Sequence, residues 1–219
     1  MLLPDKFLAS ALICLAPSLV HGQCFPPATP FDQYTDDFFL TAAPSFGDAA
    51  PGEVIGVELS LTIKNFHQEY DCDGLGLVAA YDPELGDVLG EPVYSENLEE
   101  FAGPAFFYRL RERDGLKGFV IGFPIRSFAD PAPFIDTPVK ICTVYFRIHG
   151  EPGDSFEVSF PDDKLADFFN QCVRTQMTFT DKVTREMRLI AHSKIHVPGI
   201  VNIVDREPIR TEPPPEHVL

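Results

Sequence analysis

The chain has 219 residues, 45% hydrophobic and 23% charged, which suits one globular domain with a sizeable core. Its 17 Lys and Arg face 33 Asp and Glu, for a formal net charge of -16. That balance excludes nucleic acid and anionic membrane surfaces as partners, because both are bound through clustered cations. The 20 Phe, the absence of Trp and the 21 Pro set between apolar runs favour short strands over long helices.

Residues 1–22 read as a secretory signal peptide. Lys6 supplies a positive start, Phe7 to Val20 is an apolar run too short to span a bilayer, and Val20-His21-Gly22 precede a cut before Gln23. The remaining chain is expected to be secreted, extracellular or periplasmic, with no membrane insertion after cleavage. Residues 23–36 are Pro-rich and irregular, and the domain is expected over 37–204. Residues 205–219, with Pro213-Pro214-Pro215, read as a disordered Pro/Glu-rich tail.

Within the domain, Phe38 to Ala43 is a short first strand, and Ala43 to Gly52 reads as a loop. Ile55, Val57, Leu59, Leu61 and Ile63 then alternate with Gly56, Glu58, Ser60, Thr62 and Lys64. This is the period of a strand with one face in the core. Asn65 to Asp73 is a polar excursion, and Gly74 to Tyr81 a more continuously apolar strand that Asp82-Pro83-Glu84 ends. Leu85 to Glu100 reads mostly as loop. Phe106–Arg113 and Phe119–Phe123 make a hairpin around a Gly-containing turn.

Val139 to Phe160 reads as two strands and a turn. Cys142, Val144, Phe146 and Ile148 share one face, His149 to Asp154 reverse the chain, and Phe156, Val158 and Phe160 resume the alternation. Leu165, Phe168 and Phe169 fall at helical spacing after Asp162 and Asp163, which predicts one short helix. Cys172–Thr180 and Val183–Ala191 form a hairpin, and Ile200 to Val204 a closing strand. The sum is an all-β fold: a jelly-roll or immunoglobulin-like β-sandwich of about nine or ten strands with one short helix.

Cys24, Cys72, Cys142 and Cys172 remain after the leader is removed. Four cysteines in an exported chain are disulfide candidates with three possible connectivities, and spacing does not choose among them. Cys142 faces the core, as a disulfide partner (for instance of Cys172) or as a packed free thiol.

No residue pattern specifies a reaction. Asp71, Asp73, Asp82, Glu84 and Asp87 offer oxygen ligands of the kind calcium takes, against the simpler reading of a solvated loop, and match no EF-hand spacing. No other cofactor is expected. His192 and His196 on a strand would stand about 13 Å apart, too far to share a metal, and read as surface histidines. Ser127, Ser155 and Ser159 lack any nucleophile motif, and Gly74 and Gly76 lack the rest of a dinucleotide fingerprint. Tyr94, Tyr108 and Tyr145 are surface aromatics able to stack on sugars or on a partner's side chains, or simply to cover a sheet.

Five segments in order carry a resemblance. They are Pro51-Gly52-Glu53 leading into VIGVELSLTIKN, then GLGLVAAYDPEL, VKICTVYFRI, GEPGDSFEVSF and VPGIVNI. Together, over Phe38 to Val204, they resemble cohesin-type domains of bacterial exported proteins. The resemblance implies a jelly-roll sandwich that binds a dockerin module without catalysis, and such sandwiches are also similar to carbohydrate-binding modules. The chain differs from cohesin arrays in having one copy and a long segment between Phe169 and Pro198. The expected function is an exported, non-catalytic binding or structural module for an extracellular protein, with a carbohydrate-binding module and a hydrolase as alternatives.

Overall fold

The computed structural model describes residues 38–64, 70–96, 98, 102–103, 105–109, 115–124, 137–160, 176–190 and 195–209. The signal peptide, the short helix, Cys24, Cys172, Ser127 and His192 lie outside the described residues, as do the side chains of Cys72 and Tyr108.

The described residues form 13 strands in two sheets. In chain order they are β1 (Phe38–Pro44), β2 (Asp48–Ala49), β3 (Val54–Ile63), β4 (Tyr70–Tyr81), β5 (Gly86–Tyr94), β6 (Phe106–Arg109) and β7 (Lys117–Pro124). There follow β8 (Val139–Ile148), β9 (Ser155–Ser159), β10 (Gln176–Asp181), β11 (Met187–Ile190), β12 (Ile195–Val197) and β13 (Gly199–Ile203). The first sheet runs β12-β1-β3-β8-β5. The second runs β11-β10-β4-β9-β13-β2, with the β6–β7 hairpin on the other edge of β4. The all-β sandwich read from the sequence is the observed architecture.

The alternation in β3 and β8 decides which side of the first sheet is buried. Ile55, Val57, Leu59 and Leu61 are buried from β3, and Cys142, Val144, Phe146 and Ile148 from β8. They meet Leu75, Leu77, Ala79 and Tyr81 of β4 and Phe119, Ile121 and Phe123 of β7 in one core. At its centre four rings touch across the sheets. Phe146 stands 5.2 Å from Tyr81 and 5.1 Å from Phe156, centroid to centroid, both within the range of favourable aromatic pairs.

Several elements depart from the sequence reading. The register of β3 with β8 shifts between Leu59 and Ser60, so Ile141 is an extra residue and is buried beside Cys142. The polar excursion ends early, since β4 starts at Tyr70 and its first residues pair with β10. Gly86 to Tyr94, read as loop, is a strand paired with β8 whose register breaks between Leu89 and Val93. Gly90 and Pro92 interrupt its alternation, as suits the edge of a sheet. Asp48-Ala49, also read as loop, is a two-residue strand parallel to β13.

The turn after β8 reverses the chain as expected, but it crosses between the sheets and closes no hairpin: β8 pairs with β3 and β5, and β9 with β4 and β13. Gly153 adopts φ 104°, which favours glycine, and its amide donates to the Ile203 carbonyl at 2.8 Å. β9 and β10 lie end to end along the same edge of β4: Ser159 stands opposite Ala80, and Gln176 opposite Gly76.

Candidate functional site

The outer face of the first sheet carries an open groove of about 690 Å³. Its floor is Gly56 and Glu58 of β3 with Thr143 and Tyr145 of β8. These are the positions that alternate with the core residues of the same strands, so the pattern that buries one face presents this one to solvent. Gly56 stands opposite Tyr145 in the ladder. A Cβ on Gly56 would lie 2.9 Å from Thr143 Cγ2 and 3.4 Å from the Tyr145 ring. The missing side chain therefore lets the tyrosine lie close over the backbone, the usual way an aromatic covers a strand glycine.

Phe46 forms one wall and is 47% exposed. Two hydrogen bonds place it: the Ser45 amide donates to the Gly56 carbonyl at 2.8 Å, and the Gly56 amide donates to Ser45 Oγ at 3.2 Å. A charged pair closes one end, with Lys140 Nζ 3.1 Å from Glu58 Oε2. Ser60 Oγ donates to the other Glu58 oxygen at 3.3 Å. Both oxygens of Glu58 are thereby engaged, and the pair offers a polar rim to the aromatic floor.

Ile209 lines the opposite end, 57% exposed, and it is held there by a buried carboxylate. Glu53, 6% exposed, accepts two hydrogen bonds from the Arg206 guanidinium, at 2.7 and 2.8 Å. It also accepts from the Ala50 amide at 2.7 Å and from the Ile209 amide. Burial pushes the Glu53 carboxyl up, but Arg206 and the two amides outweigh burial and hold it below the usual carboxylate range. Residues 205–209, expected as part of a disordered tail, are thus tied to the domain.

The sequence-named residues fall elsewhere, Tyr145 excepted. Tyr94 packs against the core with its hydroxyl buried and without a hydrogen-bond partner among the described residues, and burial raises its pKa. It is therefore not a surface aromatic, because β5 turns its ring inward. Cys142 is a free, fully buried thiol whose pKa burial raises. The packed-thiol reading of Cys142 is the one this structure carries.

Asp82 Oδ1 accepts the Glu84 amide at 2.8 Å in its own turn. Asp87 faces Lys117 at 3.4 Å and His149 at 3.1 Å. Among the described residues, no group of three His, Cys, Asp or Glu side chains is arranged to hold a metal ion. His196 is half-buried, not a surface histidine: its ring packs on Phe160 at 5.6 Å and its Nδ1 lies 3.1 Å from the Phe160 carbonyl. Ser159 Oγ donates to the Ala80 carbonyl at 3.4 Å, and Ser155 opens β9. Gly74 and Gly76 are mid-strand, paired on both edges. Phe46, Glu58, Lys140 and Ile209 are the groove residues that sequence reasoning missed. A large apolar Phe46 inside the otherwise small and polar APSFGDAAPG was the available signal.

The fold defines the class as a two-sheet, all-β sandwich with an open groove on one outer face. No family model matches the chain. No curated protein matches it either. Among solved structures it is similar to the sixth cohesin of Acetivibrio cellulolyticus scaffoldin B, in complex with a mutant Cel5 dockerin. That match has 17% identity and a TM-score of 0.44, covering 76% of this chain and 98% of that one. It is also similar to the seventh ScaB type I cohesin of Pseudobacteroides cellulosolvens, at 9% identity and a TM-score of 0.46, covering 81% and 98%. A third is a type II cohesin–X-dockerin complex of Acetivibrio cellulolyticus, at 13% identity and a TM-score of 0.47, covering 76% and 99%.

Proposed function

We propose that this chain is a non-catalytic recognition module, exported from the cell, that takes a protein partner in the groove on its first sheet. The observation that carries the reading is the groove's composition: the exposed Phe46 and the half-buried Tyr145 stand beside the Glu58–Lys140 pair, on the face opposite the core. Aromatic anchors with a polar rim are the usual chemistry of a protein interface. The order of cohesin-like segments in the sequence supports the same reading, and the apolar run Phe7 to Val20 supports export.

The test compares the mature chain with a Phe46→Ala/Tyr145→Ala variant. Both are offered to extracellular proteins of the source organism, with any captured protein repurified, and to a panel of polysaccharides. A purified protein should bind the mature chain saturably, and the variant should weaken that binding about tenfold or more, as loss of central aromatics does. Binding to polysaccharide alone would transfer the function to the carbohydrate-binding alternative. Protein binding indifferent to both substitutions would move the site off the groove.

A further inference from the structure

The segment that follows Ile209 leaves the described body at the mouth of this groove. Ile209 is itself part of the lining, and its amide is bonded to Glu53. Ten further residues follow, RTEPPPEHVL. We propose that this segment, residues 210–219, lies along the groove with Pro213-Pro214-Pro215 against Tyr145, so that the chain occupies its own recognition surface until a partner displaces it.

Three features support this occupant over any other. The first is reach. The floor from Val54 to Glu58 spans four strand steps, about 13 Å. Ten residues in an extended polyproline conformation cover about 31 Å, so the segment is long enough to cross it from where Ile209 stands.

The second is shape and chemistry. A polyproline run is pre-extended, loses little entropy on docking, and packs its rings on aromatic side chains in shallow grooves. Gly56 keeps the floor low beside Tyr145, and Phe46 supplies a second ring.

The third is charge. Glu212 and Glu216 bracket the three prolines, about 12 Å apart in that conformation. On β8, Lys140 is already paired with Glu58, and Arg147 is exposed two residues beyond Tyr145 on the same outer face. In a chain of net charge -16, Arg147 beside that aromatic gives an acidic, proline-containing segment a cation to meet.

The inference deepens the reading of the groove as a recognition surface and rests on it for its consequence, displacement by a partner. The docking itself is measured on the chain alone. The experiment records backbone amide spectra of the full mature chain and of a Pro213→Ser/Pro214→Ser/Pro215→Ser variant. Release of the segment should shift the amides of Gly56, Thr143 and Tyr145, and a synthetic peptide of residues 210–219 added to the variant should move them back. In a separate Tyr145→Ala variant the resonances of residues 213–219 should narrow to those of the free peptide.

Shifts confined to residues 208–219 would overturn the proposal. So would groove amides that respond to a soluble oligosaccharide and not to the proline substitutions. An unchanged groove spectrum with intact partner binding would sink the self-docking and leave the recognition reading in place. Shifted amides with no partner binding in either form would do the reverse.

Discussion

Glu53 shows how much one side chain can depend on a residue far along the chain. A carboxylate buried without partners would be costly, so its retention implies compensation, which Arg206 and two backbone amides supply. The sequence places Glu53 at a strand start after Pro51-Gly52 and carries no hint of its burial, because its main partner comes 153 residues later. Its folded pKa lies below the ordinary 4.5, so on acidification the unfolded chain takes up this proton first. The stabilisation is therefore complete above about pH 4.5 and is lost as pH falls through the lower folded value. Glu53→Gln should cost about 1–3 kcal/mol at pH 7, read from urea unfolding, and the gap to the parent should narrow as pH falls below 4.5. A gap that stays constant on acidification would contradict the assignment. Cys142 is the opposite case: its inward aspect follows from alternation alone, whatever its distant neighbours.

At the level of elements, legibility follows regularity. β3 and β8 repeat at a period of two, and both emerged where the pattern put them. β5 did not, because Gly86, Gly90 and Pro92 remove side chains or a donor from the alternation, and its pairing with β8 breaks between Leu89 and Val93. β2 has two residues, too few for any period, and exists because β13 lies beside it. Of the groove, Tyr145 was readable as an outward aromatic, whereas Ile209 was not, since only the Glu53 bonds bring it there.

Gly86 nonetheless has a packing role that its loop-like composition hides. A Cβ there would lie 2.8 Å from the Phe156 ring and 3.2 Å from the Arg147 carbonyl. Phe156 is fully buried among other rings, packed on Tyr81 and Phe146. Gly86→Ala should destabilise by about 1–3 kcal/mol through overpacking. A urea midpoint equal to that of the parent would show that Phe156 can shift.

Across the whole molecule the sheets are joined by hydrophobic contact between their inner faces. Phe146 is the main bridge: it comes from the first sheet and meets Tyr81, Phe119 and Phe156 of the second. Phe146→Ala should cost about 3–5 kcal/mol, measured by chemical unfolding, from lost burial and the cavity left behind. A loss under about 1 kcal/mol would mean that the sheets close over the gap. The two-sheet architecture was legible because inward residues recur along several strands. Which strand neighbours which was not, because pairing joins segments distant in the chain.

That pairing has a consequence in time. β1 takes β12 as its neighbour, Phe39 opposite Ile195, and β2 takes β13, Asn202 opposite Asp48. In both sheets, then, an early strand waits for a late one. During synthesis from the amino terminus, the edges of β1 and β2 stay open until nearly the last described residue has been made, and Arg206 then seals the seam at Glu53. Such a chain closes both sheets late, only once β12, β13 and Arg206 have been made.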